Sequence, residues 1–351
     1  MFKKLLQNKP LLSGILITVS MLFATFSFYA YQIFFTPNVQ VEKNELYLLI
    51  PTGATYQTVV DSLKKNKVVD DVLSFSFLAK VMGYQQKVLP GRYLVRKDMT
   101  NSALLNLLRS GRQTPVKLVF GSVRLKEQIA GKVCRQIETD SAVFNKLLNS
   151  PETYKKYGFN EETIAAMFIP NTYEVYWNIS AEELLDRFNK EYQDFWNEER
   201  RRKAEKIGFT PVQVSVLASI VGSETNKADE KPRIAGVYIN RMNSPETAYK
   251  LQADPTVIFA LRDFSIKRVT KTHLQVDSPY NTYKNRGLPP GPINTPSITS
   301  IDAVLNYEKN DYLFFVVKAD FSGYHTFTND YNEHLKNARL YWEALNLRNI
   351  K

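Results

Sequence analysis

The stretch TPVQVSVLASIVGSET, residues 210–225, decides how the larger part of this chain is read. Thr210 and Gln213 make a capping box with Pro211 at the first helical position, which marks a helix start. Val214, Leu217, Ala218 and Val221 then recur at helical spacing, so the helix is buried. A step of three from Val221 along that inward face reaches Glu224, a carboxylate at the end of a core-facing stripe. Apolar surroundings and the helix C-terminus both disfavour its ionised form, which tunes it towards a general acid near neutral pH. The same position also suits a glutamate that leaves the core at a helix end, or one that pairs with Arg233 or Arg241.

On the N-terminal side, Ser180 and Glu183 form a second capping box, opening a long helix through Leu184, Leu185, Phe188, Tyr192 and Phe195. The run Arg200 to Lys203 falls near its end and reads as a solvated face or a binding patch. On the C-terminal side Ile234–Arg241 continues helically, and LQADPT (251–256) is a polar loop entering another apolar stretch. SPYNTY (278–283) and GLPPGP (287–292) are rigid loops carrying aromatic rings, amides and hydroxyls. Such groups suit sugar rings, which offer flat C–H faces and equatorial hydroxyls, although turn chemistry alone also accounts for the Pro and Gly. Strands at 312–317 and 324–328 and a helix through Leu335, Ala338, Trp342 and Leu345 complete this part.

Further upstream, LYLLIP (46–51), helices at 55–65 and 71–82, a strand at 91–95, a helix stopped by Gly111 and a strand at 116–120 alternate over a short span. They read as a small α+β module, either a binding unit or a spacer. The 351 residues suffice for two to three domains at about 150 each. One cysteine, Cys134, rules out an internal disulfide framework and cysteine-rich zinc modules, and three histidines leave little for a metal cage, so no metal is expected. The net charge of +11 favours a polyanionic partner: nucleic acid, anionic lipid or an acidic polymer.

The N-terminus narrows that choice. No charged side chain occurs from Pro10 to Val41, and Leu11–Phe35 is long enough for the roughly 20 residues that cross a bilayer. A cleaved signal peptide is the alternative, but the apolar run exceeds the usual core and no clear cleavage site follows. Lys3, Lys4 and Lys9 precede the run and Glu42 and Glu45 follow it, which places the N-terminus in the cytoplasm and the rest outside, away from nucleic acid.

LASIVGSET (217–225), VYINR (237–241), LQADPTV (251–257), SPYNTY, GLPPGPI (287–293) and YHTFT (324–328), in this order, resemble the endolytic murein transglycosylases of the MltG (YceG-like) family. The resemblance covers essentially the whole chain. It implies an α+β protein: a cytoplasmic tail (1–9), a transmembrane anchor (10–36), a LysM-like module (44–121) and a larger mixed α+β catalytic domain (122–351). It further implies a bacterial inner-membrane enzyme that cleaves peptidoglycan glycan strands internally and leaves 1,6-anhydro-N-acetylmuramic acid ends, with a peptidoglycan synthase as partner and no cofactor. The family's catalytic glutamate falls on Glu224. Gly222 stands where relatives usually carry a first glutamate, and Asn171 where Asp or Glu is common. Gln252, Asp254, Tyr280, Asn281, Thr282 and His325 are candidates for holding the sugar, Asp254 being also the candidate second carboxylate. A lysozyme-type hydrolase and a non-catalytic glycan-binding scaffold are the competing readings.

Overall fold

The computed structural model describes residues 9–348, so Lys3, Lys4 and most of the expected cytoplasmic tail lie outside the described residues. The chain divides into two compact units, one up to Val116 together with Glu174–Ile179, the other made of Lys117–Tyr173 and the chain from Ser180 onward.

The first unit begins with α1 (Lys9–Phe35), an apolar helix with no buried residue and a mean hydropathy of 2.0. Its length and composition suffice to cross a membrane. Then come β1 (Glu45–Ile50), α2 (Tyr56–Lys65), α3 (Val72–Val81), β2 (Gly91–Arg96) and α4 (Asn101–Ser110). β1 and β2 pair antiparallel, from Glu45 opposite Arg96 to Ile50 opposite Gly91. Strand alternation sends Leu48 and Ile50 into a core with Val59, Leu63, Phe75, Leu78, Tyr93 and Leu105. It leaves Tyr47 outside, where the Arg92 guanidinium covers its ring at 3.4 Å. Thr55 and Thr58 cap α2 reciprocally. α4 stops at Gly111, in the left-handed region at φ 65°, as a glycine stop requires.

The second unit takes up β3 (Val116–Phe120) from Lys117 onward, followed by α5 (Gln128–Val133), α6 (Ser141–Leu148) and α7 (Pro151–Tyr157), and β3 pairs with β4 (Asn171–Val175), which belongs to this unit as far as Tyr173. Next are α8 (Ala181–Phe195), α9 (Glu198–Lys206), α10 (Pro211–Glu224), α11 (Lys231–Asn243), α12 (Asp254–Leu261) and α13 (Ile298–Leu305). β5 (Phe314–Val317) and β6 (His325–Thr328) form an antiparallel pair, and α14 (Tyr331–Leu347) follows. Phe188 of α8 gathers the rings of Phe168, Tyr173 and Phe120, with centroids 4.8, 5.0 and 5.9 Å away.

Two details correct the sequence reading. The long helix ends at Phe195, because Asn197 accepts from the Arg200 amide at 3.0 Å and starts α9. The run Arg200–Lys203 therefore belongs to a separate helix, where Arg200 pairs with Asp302 at 3.2 Å and Lys203 with Glu199 at 2.9 Å. Secondly, α10 is not one-sided: every residue from Val214 to Val221 is buried. It packs against α11, α12 and α13. Its approach to α13 is close enough that a Cβ on Gly222 would lie 2.7 Å from Ser300 Oγ.

Candidate active site

Glu224 is the last residue of α10, and Thr225 turns the chain away in extended conformation. Tyr238, wholly buried on α11, donates its hydroxyl to Glu224 Oε1 at 2.5 Å. The glutamate itself is only partly buried. Loss of hydration still pushes its carboxyl pKa up to about 7; the neighbouring Asp254 charge adds to the rise, while the Tyr238 hydrogen bond and the Arg241 charge oppose it. The result is a carboxyl group that keeps its proton near neutrality and remains reachable from outside.

The expected ion-pair alternative is not what the side chains do. Arg233 pairs with Glu308 at 2.9 Å. Buried Arg241 spends its guanidinium on backbone carbonyls, Nε to Leu313 at 2.7 Å and Nη1 to Leu251 at 2.5 Å. Among the described residues neither arginine makes a salt bridge of 4 Å or less to Glu224. Arg241 instead fastens the segment that delivers Asp254.

That segment is built with care for its backbone groups. Gln252 takes a left-handed φ of 53° and donates its amide to Thr282 O at 3.1 Å. The Ala253 amide donates to Thr282 Oγ1 at 3.0 Å, and Thr256 Oγ1 lies 2.8 Å from the same hydroxyl. Asp254 then opens α12 and accepts from Tyr283 Oη at 2.6 Å. Burial raises its carboxyl pKa, against the Tyr283 hydrogen bond and the Arg241 charge. Two tyrosine–carboxylate pairs thus flank one buried arginine.

The structure brings Glu224 and Asp254 together, with Gln252 beside them through the chain. The other candidates sit differently. Asn281 is buried and donates to Leu274 O and Val276 O at 2.9 and 2.8 Å, and its Oδ1 accepts from the Tyr283 amide at 3.0 Å, so it positions Tyr283. Thr282 is buried under the Ala253 segment. His325 is buried against Glu230, with Nδ1 at 2.8 Å from Oε2 and its amide donating to Oε1 at 2.8 Å. Glu230 immediately precedes α11, so that pair pins the helix carrying Tyr238 and Arg241. The side chains of Asn281, Thr282 and His325 are used inside the protein. Tyr280 packs its ring on Phe259 at 4.8 Å.

Two adjoining hollows share Arg124, Phe259 and Asn294; one reaches Ser223, next to Glu224, and the other reaches Tyr280 and Arg262. The loop at 287–292 approaches closely there, since a Cβ on Gly291 would sit 2.1 Å from Glu162 O. Glycine is required by that contact.

Sequence reasoning missed Tyr238, Tyr283 and Arg124 as site residues and took Arg241 only as a salt-bridge partner. The available signal was the spacing of Tyr238 and Arg241, three apart and so on one face of their helix. The position of Gly222 also gains a neighbourhood. Its close contact, Ser300 Oγ, accepts from the buried Lys231 ammonium at 3.1 Å, and Thr299 Oγ1 does so at 3.4 Å. No carboxylate lies within 4 Å of Lys231 among the described residues, and burial lowers its pKa.

The sequence model of the YceG-like family matches residues 48–340. An endolytic murein transglycosylase of Bacillus subtilis (strain 168) is 27% identical over 325 residues, 87% of this chain and 87% of that protein. An endolytic murein transglycosylase of Streptococcus pneumoniae serotype 2 is 25% identical over 82% of this chain, which spans 57% of the length of that relative. The crystal structure of a YceG-like protein from Listeria monocytogenes superposes with a TM-score of 0.55 at 28% identity, covering 84% of this chain and 99% of that one.

Proposed function

We infer function from a family premise: this chain belongs to the YceG-like family. It acts as an endolytic murein transglycosylase, a lyase whose substrate is the peptidoglycan glycan strand. The observation that carries this is Glu224, a carboxyl with its pKa raised to about 7 at the end of a buried helix, held by Tyr238 on one oxygen.

The chemistry follows from that one group. Protonated Glu224 donates to the oxygen linking N-acetylmuramic acid to N-acetylglucosamine. Its carboxylate then takes the proton of the muramoyl C6 hydroxyl, which attacks C1 within the same sugar and leaves a 1,6-anhydro end. No water is consumed, because the nucleophile belongs to the substrate and is already in place. Tyr238 occupies Oε1 and leaves Oε2 for the two proton transfers. Arg241 and Tyr238 favour the carboxylate after the first transfer. Asp254, fixed by Tyr283, is suited to face the positive charge that builds on the sugar ring. Gln252 and Tyr280 are proposed to touch the sugars, while Asn281 and Thr282 hold the loops that do so and His325 pins the start of α11.

In this reading α1 is a single-pass anchor with the N-terminus in the cytoplasm and the catalytic part outside. Residues 44–121 form the LysM-like module and 122–351 the catalytic domain, with a peptidoglycan synthase as partner. The alternative of a lysozyme-type hydrolase draws on one observation, the second carboxyl of Asp254 beside Glu224.

Mass spectrometry of purified peptidoglycan digested with the full chain, Glu224→Gln and Asp254→Asn decides between them. The expected result is strand ends lighter by one water, abolished in Glu224→Gln and only reduced in Asp254→Asn. Reducing ends would establish the hydrolase, and unchanged strands a binding scaffold.

A further inference from the structure

α3 is apolar on both sides. Phe75, Leu78 and Ala79 point into the core of the first unit, while Leu73, Phe77 and Val81 are 82%, 53% and 60% exposed. These three follow one another at four-residue steps, so they form a single line on the outer face. A helix that is apolar all round is expected inside a protein or against lipid, and an exposed apolar line of this kind marks a contact surface.

What lies next to that line identifies its occupant. The C-terminal end of α1 is packed on the same unit: Ile33 and Phe34 rest on its core. Buried Asn101 ties the two helices, donating to Ile33 O at 3.4 Å and to Ser74 Oγ at 2.9 Å. A hollow lined by Tyr29, Gln32, Ile33, Leu73, Ser74 and Phe77 joins the side of α1 to the exposed line of α3. Counted from Pro10, the roughly 20 residues that cover a hydrocarbon core of about 30 Å end near Tyr29. Tyr29, Tyr31 and Phe35 are exposed there, at the depth where aromatic side chains collect at a membrane surface. Leu73 and Phe77 share a hollow with Tyr29 and are therefore held at the same depth. Asp71 at the head of α3 is engaged as its cap, accepting from the Leu73 and Ser74 amides. Lys80 has a flexible stem that lets its ammonium reach headgroups.

We propose that α3 is a second membrane contact of this protein: Leu73, Phe77 and Val81 lie in the outer headgroup boundary of the bilayer that α1 crosses. The lipid surface, not a glycan or a protein, covers this face. The inference rests on the reading of α1 as an anchor. The small unit is then a rigid foot that fixes its own height on the membrane.

The test uses the full chain with Cys134→Ala and single cysteines at Leu73, Phe77 or Val81, each carrying an environment-sensitive fluorophore, in vesicles of phosphatidylethanolamine and phosphatidylglycerol. Asp61, exposed on α2 of the same unit, is the reference position outside the lipid, and Leu22 in the middle of α1 reports insertion. With the face buried about 5–10 Å into the boundary, lipids carrying a quencher just below the headgroup should remove roughly half of the emission at the three α3 positions and little at Asp61. Leu22 should be quenched by lipids carrying the quencher deep in the acyl chain. Emission at all three α3 positions as insensitive as at Asp61, with Leu22 quenched, overturns the proposal and leaves the anchor standing. Leu22 also insensitive removes the anchor and the proposal together. Emission shifted to the blue but not quenched at the α3 positions shows that protein covers the face, which likewise overturns it.

Discussion

Replacing Glu224 by Gln should make the folded protein more stable at alkaline pH while it destroys activity. The amide keeps the shape and can still accept the Tyr238 hydroxyl, but it does not titrate. In the native protein the carboxyl pKa is raised from 4.5 to about 7. The stability associated with its protonated form is therefore fully present below pH 4.5 and is lost as the pH rises through about 7. At about 1.4 kcal/mol per pH unit, ionising Glu224 costs about 3 kcal/mol, an upper figure because water reaches the partly exposed group. The variant escapes that loss. Unfolding free energies of the full chain from urea titrations in detergent micelles should differ by a constant below pH 4.5, and that difference should move in favour of Glu224→Gln by up to about 3 kcal/mol by pH 8. Titrating groups that do not interact with Glu224 cancel in the difference. Glycan cleavage should fall by about 10²–10⁴, the usual loss of a general acid or base. A variant less stable than the parent at pH 8, or a stability difference that does not change with pH, would refute the reasoning: Glu224 would then be an ionised glutamate that serves the fold.

Two further outcomes are expected. Tyr238→Phe removes the hydrogen bond that holds the Glu224 pKa down, so the alkaline limb of the kcat/KM profile should move upward by about one to two pH units; an unchanged or acid-shifted limb contradicts the assignment. Gly222→Ala puts a Cβ 2.7 Å from Ser300 Oγ and should cost about 1–3 kcal/mol, most of it absent when Ser300→Ala leaves only the 3.5 Å contact to Ser300 Cβ. A double-mutant cycle by urea unfolding with additive costs would show that the two side chains do not meet.

The sequence carries whatever is set by bonds between near neighbours. The helix start at Thr210 needs only Gln213, three residues on, and the one at Ser180 only Glu183. The stop of α4 at Gly111 needs only a residue able to turn left-handed. The same logic reaches Glu224, whose place after Val221 on a helix is a matter of spacing, and the apolar run that became α1. The break after Phe195 was equally local. Asn197 carries its signal as a capping residue followed by Glu198 and Glu199, and in the structure its side chain accepts from the Arg200 amide.

The surroundings of the carboxyl groups were decided elsewhere. Tyr238 meets Glu224 from another helix, Tyr283 meets Asp254 across 29 residues, and His325 meets Glu230 across 95. Nothing in the residue types or their spacing distinguishes a side chain that faces a sugar from one that braces the fold: Asn281 and Thr282 are candidates for the first by sequence but are bonded within their loops, and His325 is bonded to Glu230 at the start of α11. Desolvation, which raises the Glu224 pKa most, comes from every atom that excludes water around it. No periodicity records those atoms, so sequence alone established that a carboxyl group stands at the end of a buried helix, and only the packing of α10 against α11, α12 and α13 determined that it keeps its proton near neutral pH.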